Sequence, residues 1–162
     1  MKMTNAWMPR EKWDALVRGE DCPLCSVIAA KTLPADSDYF LADLSVSRMI
    51  LVKNQYVKGY CLLICHQHVR EPYELAAADQ RKFFADLMLA GQSLEKAFGA
   101  IKMNFQMLGN AVPHLHCHLE PRYYGDAFPG HPADPNKETV ILKPEEYRQR
   151  VAQMRRALNR IR

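Results

Sequence analysis

His114-Leu115-His116-Cys117-His118-Leu119-Glu120-Pro121-Arg122 is the stretch on which the reading of this chain turns. From 114 to 119, histidine alternates with Leu, Cys and Leu, which is the two-residue period of a β-strand. On such a strand His114, His116 and His118 share one face, and Leu115, Cys117 and Leu119 point into a core. Three imidazoles on successive same-face positions crowd one another and gain nothing in packing, so they point to a site. Two chemistries fit the row. Three His could bind a catalytic zinc with an open fourth position, or one neutral imidazole could attack phosphorus while its neighbours hold the anion. Leu108-Gly109-Asn110-Ala111-Val112-Pro113, just upstream, supplies a glycine-containing turn whose N–H groups could meet phosphate oxygens.

Outward from this strand, IKMNFQML (101–108) reads as its neighbour, and residues 75–98 give the clearest helix. There Phe84, Leu87, Met88, Leu94 and Phe98 form an apolar stripe, with Asp79 as cap and Gly99 as stop. Three further strands are expected in YFLADLSVS, SRMILVKN and GYCLLICHQH, with a turn near Lys58-Gly59. A short helix should open at Pro9 and close at Gly19, followed by a tight knuckle at Cys22-Pro23-Leu24-Cys25. After a proline-rich loop, a last helix should start near Pro144-Glu145-Glu146 and bury Tyr147, Val151, Met154, Leu158 and Ile161. Strands in consecutive runs around one long central helix predict an α+β fold with a mainly antiparallel sheet. The expected division is an N-terminal helix over 1–21, a catalytic domain over 22–123, and a loop and amphipathic helix over 124–162 packed on the same domain.

The 162 residues, 48% hydrophobic and 25% charged, suit a folded domain and exclude disordered or low-complexity classes. The longest apolar run is Tyr60–Cys65, far short of a membrane span, and the N-terminus carries no signal-type apolar region. A cytoplasmic location and no membrane association are expected. Five cysteines, an odd number, then argue for thiols or a metal rather than disulfides. The net charge of +4 resides in residues 144–162, with six Arg against two Glu, which leaves 1–143 balanced at 16 against 16. These arginines read as the solvated face of a docked terminal helix, so a nucleic-acid partner is not expected. Cys22-Pro23-Leu24-Cys25 also invites a redox reading, but the helix before it is the wrong context for a thioredoxin-like centre.

The triad stretch resembles the histidine triad (HIT) superfamily of nucleotide hydrolases and transferases. HLHCHLEPR (114–122) matches the pattern His-φ-His-φ-His-φ-φ followed by Pro-Arg, φ being apolar, except at Glu120. The likeness extends to Gly59–Val69, similar to a Gly-His-φ-φ-φ-φ-Pro-Lys-x-His-φ stretch, and to the long helix over 79–98. The resemblance implies a HIT-like fold and a covalent nucleotidyl-histidine at His116, with His118 at the phosphate or leaving-group bridge. It implies substrate contacts at Asn110, Asn104 and Tyr60, the last standing where many members have a fourth histidine, which puts proton relay through that position in doubt. It further implies a structural zinc held by Cys22, Cys25, His68 and His114, with His66 a competing ligand to His68, and no organic cofactor. The expected activity is hydrolysis or transfer of a nucleoside monophosphate, such as an AMP derivative, from a phosphoramidate or dinucleoside polyphosphate, by a homodimer. The alternatives are a non-catalytic nucleotide-binding module and a zinc hydrolase using the whole histidine row.

Overall fold

In a computed structural model, residues 7–33, 39–127, 129–134 and 138–161 are described. Period-two alternation resolves into β1 (Tyr39–Asp43), β2 (Ser47–Leu51), β3 (Cys61–Cys65), β4 (Lys102–Gln106) and β5 (His116–Arg122). They form one antiparallel sheet in the order β1-β2-β3-β5-β4, so the last strand in sequence inserts between β3 and β4. Parity divides the sheet. Met49, Leu51, Cys61, Leu63, Cys117 and Leu119 enter the core on one face. His116, His118, Glu120 and Arg122 share the other face with Leu62 and Ile64 of β3 and with Asn104 and Gln106 of β4.

The core face is covered by α3 (Ala77–Phe98) and α4 (Pro144–Ile161). α3 ends as expected: Gly99 adopts φ +71° and returns its amide to the Glu95 carbonyl. Its buried stripe differs from the expected one. Phe84 and Met88 are 41% and 50% exposed, while Phe83, Ala90 and Gly91 join Leu87, Leu94 and Phe98 inside. Gly91 explains the shift, because a Cβ there would sit 2.7 Å from Phe105 Cζ; helix and sheet meet at the small residues. The cap also differs, with Ala76 at the N-cap and Asp79 in the first turn. Asp86, buried on α3, accepts from the Ser45 and Val46 amides (3.2 and 3.0 Å) and the Ser45 and Ser47 hydroxyls (2.9 and 2.7 Å). It ties the helix to the β1–β2 turn.

α4 buries Tyr147, Met154 and Leu158 against α3 and β1, with Val151 partly buried beside them. Its arginines are not all solvated. Arg150 is half-buried and donates to Gln55 Oε1 (2.7 Å), and Arg155 donates to the Leu41 and Phe40 carbonyls while lying over the Phe40 ring. Two short helices, α1 (Arg10–Val17) and α2 (Pro23–Ala29), precede the sheet. The expected knuckle is therefore a helix start, with Cys22 at the N-cap and Cys25 in the first turn. No strand precedes it among the described residues; α1 and a turn do.

Candidate active site and metal centre

β5 begins at His116 rather than His114, and the triad divides there. Before it, His114 donates its amide to the Val112 carbonyl, and Leu115 pairs with Val69 and Cys65 instead of continuing a regular ladder. His116 and His118 remain on the outer face with ring centroids 5.1 Å apart, while the His114 ring turns toward the N-terminal cysteines.

His116 is buried, with Nδ1 2.5 Å from the His114 carbonyl oxygen. A carbonyl only accepts, so Nδ1 carries the proton and Nε2 keeps its lone pair. Burial pushes the His116 pKa below the usual imidazole value, which favours the neutral ring. Tyr60 replaces the fourth histidine of the resemblance, and its hydroxyl lies 2.6 Å from His118 Nδ1. The two ring planes lie within 7° of parallel with centroids 6.0 Å apart, and the close contact is that of the hydroxyl with the ring nitrogen. Burial, assisted by His116, pushes His118 down to about 4.

Glu120, the departure from the triad pattern, is buried on the same face. The Tyr56 hydroxyl donates to one carboxylate oxygen and Gln106 Nε2 to the other (2.6 Å). Burial raises its pKa against these two bonds and Arg122, which lower it. Tyr56 in turn meets Tyr60 edge-on at 5.0 Å, which links the carboxylate to the His118 partner. Asn104 Oδ1 accepts a hydrogen bond from Arg122 (3.1 Å). Arg122 also pairs with Asp126 at 2.8 Å. Asn110 is exposed in the loop after β4, where Gly109 takes φ +65° and lines a small cleft with His116 and Arg70. The sequence reading missed Tyr56 and Gln106. Parity on β5 could have placed Glu120 beside the histidines and so asked for its partners.

The second cluster holds Cys22, Cys25, His68 and His114, whose ligand atoms all lie within 4.8 Å of one another. His68 rather than His66 belongs to it; His66 Nε2 lies 3.4 Å from Asp43. A tetrahedral zinc with bonds of about 2.3 Å to sulfur and 2.0 Å to nitrogen sets S···N near ~3.5 Å and N···N near ~3.3 Å. Here three of the four S···N distances are 3.5, 3.2 and 3.5 Å, and the two Nδ1 atoms are 3.2 Å apart. Each imidazole donates its other nitrogen to a carbonyl, His68 to Val17 (3.1 Å) and His114 to Cys65 (2.8 Å). Both Nδ1 lone pairs therefore face the cysteines, the orientation that metal-ligating histidines take from their outer partners. Donor set, spacing and tautomers fit a zinc ion. Without a cation, burial and the neighbouring Cys22 push the Cys25 thiol up to about 11.

The HIT domain model matches residues 36–125. The chain belongs to the HIT domain family. Within it, "Protein hit" of Bacillus subtilis is 28% identical over 118 residues, covering 67% of this chain and 77% of that protein. A HIT protein from Sinorhizobium meliloti superposes with TM-score 0.69 at 26% identity, over 75% of this chain and 90% of its own. One from Marinobacter aquaeolei gives TM-score 0.70 at 25% identity, over 79% and 93%. A zinc-bound histidine triad family protein from Mycobacterium smegmatis shares the fold at 18% identity, TM-score 0.64, over 87% and 95%. HIT membership carries a nucleotide-binding or nucleotide-hydrolase type of function. No described helix is long and apolar enough to cross a membrane.

Proposed function

We propose that this HIT protein hydrolyses or transfers a nucleoside monophosphate through a covalent nucleotidyl-His116, from a phosphoramidate or dinucleoside polyphosphate. The observation that carries the reading is the hydrogen bond between His116 Nδ1 and the His114 carbonyl, which leaves Nε2 as the nucleophilic lone pair. In the first step Nε2 forms a bond to phosphorus while the bond to the leaving group breaks with its electron pair. In the second, water or another acceptor takes the nucleotidyl group, gives up a proton and frees His116. His118, 5.1 Å away between ring centroids, would hold the bridging atom, and the Gly109–Asn110 turn would hold phosphate oxygens. Asn104 would stay a substrate contact only through Arg122, its partner.

Zinc in the Cys22–Cys25–His68–His114 cluster would be structural, a cross-link between the N-terminal segment and the start of β5. The zinc-hydrolase alternative is weakened because His116 and His118 lie outside that cluster. Assembly as a homodimer through β4 fits this reading. β4 is an edge strand whose half-exposed Phe105 lies against Gly91 of α3, and Phe84 and Met88 of that helix are exposed, so a second copy could extend the sheet and cover these side chains.

The test is His116→Asn. Turnover of an adenosine phosphoramidate or dinucleoside polyphosphate should vanish, with the nucleotidyl adduct absent by mass spectrometry and AMP affinity retained. Undiminished turnover in the variant overturns the assignment. AMP binding by the natural protein with no turnover of either substrate favours the non-catalytic module.

A further inference from the structure

The contact between Tyr60 and His118 has a direction that the chemistry of the two groups determines. An imidazole nitrogen is a far better acceptor than a phenolic oxygen, and a phenol with an ordinary pKa near ~10 is a donor at neutral pH. At 2.6 Å, the Tyr60 hydroxyl therefore donates to Nδ1. Neutral imidazole carries one N–H, so in His118 that proton sits on Nε2. His118 thus presents a fixed N–H donor to the bridging atom beside His116.

Donating a hydrogen bond differs from giving a proton away. For His118 to release its Nε2 proton, Nδ1 must gain one, and the group aimed at Nδ1 is a phenol rather than an imidazolium. A free phenol is a weaker acid than a free imidazolium by about 3.5 pKa units, roughly 3 × 10³-fold in a transfer equilibrium. Among the described residues, Tyr56, Glu120 and His116 do not substitute for it. The Tyr56 hydroxyl is committed to Glu120, and both Glu120 oxygens accept bonds, from Tyr56 and Gln106. His116 holds its proton on Nδ1 against the His114 carbonyl.

We propose that Tyr60, acting through His118, restricts this site to leaving groups that depart as anions, namely phosphate or polyphosphate ends, and disfavours amines. This rests on the nucleotidyl-His116 reading and selects between its two substrate classes. With a polyphosphate, the nitrogen–phosphorus bond forms, the phosphorus–oxygen bond breaks, and the electron pair leaves on a stable phosphate oxygen. No proton moves; the His118 N–H stabilises the departing oxygen and remains on nitrogen. With a phosphoramidate the departing nitrogen needs a proton to leave as an amine, and the route through His118 must draw on the phenol of Tyr60, a weak acid. Tyr60 is therefore a positioning residue that sets specificity.

Two measurements on the full chain test this. The first is ¹⁵N NMR of the resting protein, expected to show His118 as the Nε2–H tautomer and Tyr60→Phe to relax it toward a mixture. Detection of Nδ1–H in the natural protein overturns the proposal whether or not any substrate is turned over. The second is a Brønsted series of adenosine 5′-aryl phosphates with phenols of graded acidity, run beside adenosine 5′-phosphoramidate and a dinucleoside polyphosphate. The natural protein should show a steep dependence on leaving-group acidity and a polyphosphate rate at least tenfold above the amidate rate. Tyr60→His should flatten the slope and raise the amidate-to-polyphosphate ratio at least tenfold. A shallow slope in the natural protein, or a ratio unmoved by Tyr60→His, overturns the selection and leaves nucleotidyl transfer standing. Turnover of no substrate overturns both.

Discussion

Replacing Cys25 by Ser tests the metal centre. A bound ion would join Cys25 to His68 across 43 positions and Cys22 to His114 across 92. Treating the shorter link as a cross-link on the unfolded chain, closure of a 43-residue loop is worth about 4 kcal/mol. The sheet and α3 retain their own core, so the protein should still fold without the ion, with a loss of about 2–4 kcal/mol. The assay is urea unfolding of the natural chain and of Cys25→Ser, each with and without a chelator, beside elemental analysis for zinc. The natural chain should carry one zinc and lose that free energy to the chelator. Cys25→Ser should start from the lower value and give no response, because chelator and substitution remove the same link. A natural chain without zinc and indifferent to chelation refutes the reasoning. So does a variant that remains chelator-sensitive.

Asp86→Asn should cost about 2–4 kcal/mol, because in either flip the amide NH₂ faces a backbone N–H that can only donate; a loss below about 1 kcal/mol in denaturant titration would contradict the four-bond arrangement. Burial and His116 hold His118 at about 4 in the fold, whereas a free imidazole titrates near ~6.5. The unfolded chain then binds the proton first, so this stability is present above about pH 6.5 and drains away toward pH 4, by at most about 1.4 kcal/mol per pH unit. His118→Gln should show a shallower pH slope than the natural chain in matched unfolding curves, and identical slopes would refute the burial. Gly59→Ala should lose about 2 kcal/mol or more, since residue 59 has φ +83° and a Cβ would meet Phe98 Cδ2 at 2.6 Å. Calorimetry checks this, and an unchanged melting temperature would show that the turn before Tyr60 yields freely.

The sheet was legible because alternation is a local signal, and all five strands fall within the expected runs. Parity placed His116 and His118 together but carried His114 with them one step too far, since nothing in the alternation announces that the backbone turns at Val112. The same limit applies at His66 and His68. Both share a face if β3 continues, but β3 ends at Cys65, and the bend beyond it sends them to different partners. On α3, counting large apolar residues favoured Phe84 and Met88. The buried face is instead marked by Ala90 and Gly91, whose small size lets Phe105 approach. Tyr56 lies in a loop without period, so its bond to Glu120 depends on long-range packing that no local pattern encodes.

The strand order also shapes how the chain must assemble. β3 is flanked by β2 and β5, yet residues 66–115 are synthesised between β3 and β5. At about 5–20 residues per second, the Cys61–Cys65 edge waits several seconds on the ribosome for its partner. During that interval α3, built from local contacts, can form and shield one face. The row of amides along Cys-Leu-Leu-Ile-Cys stays open to any other extended segment. Arrival of the histidine strand therefore closes the open β3 edge as well as bringing His116 and His118 into register.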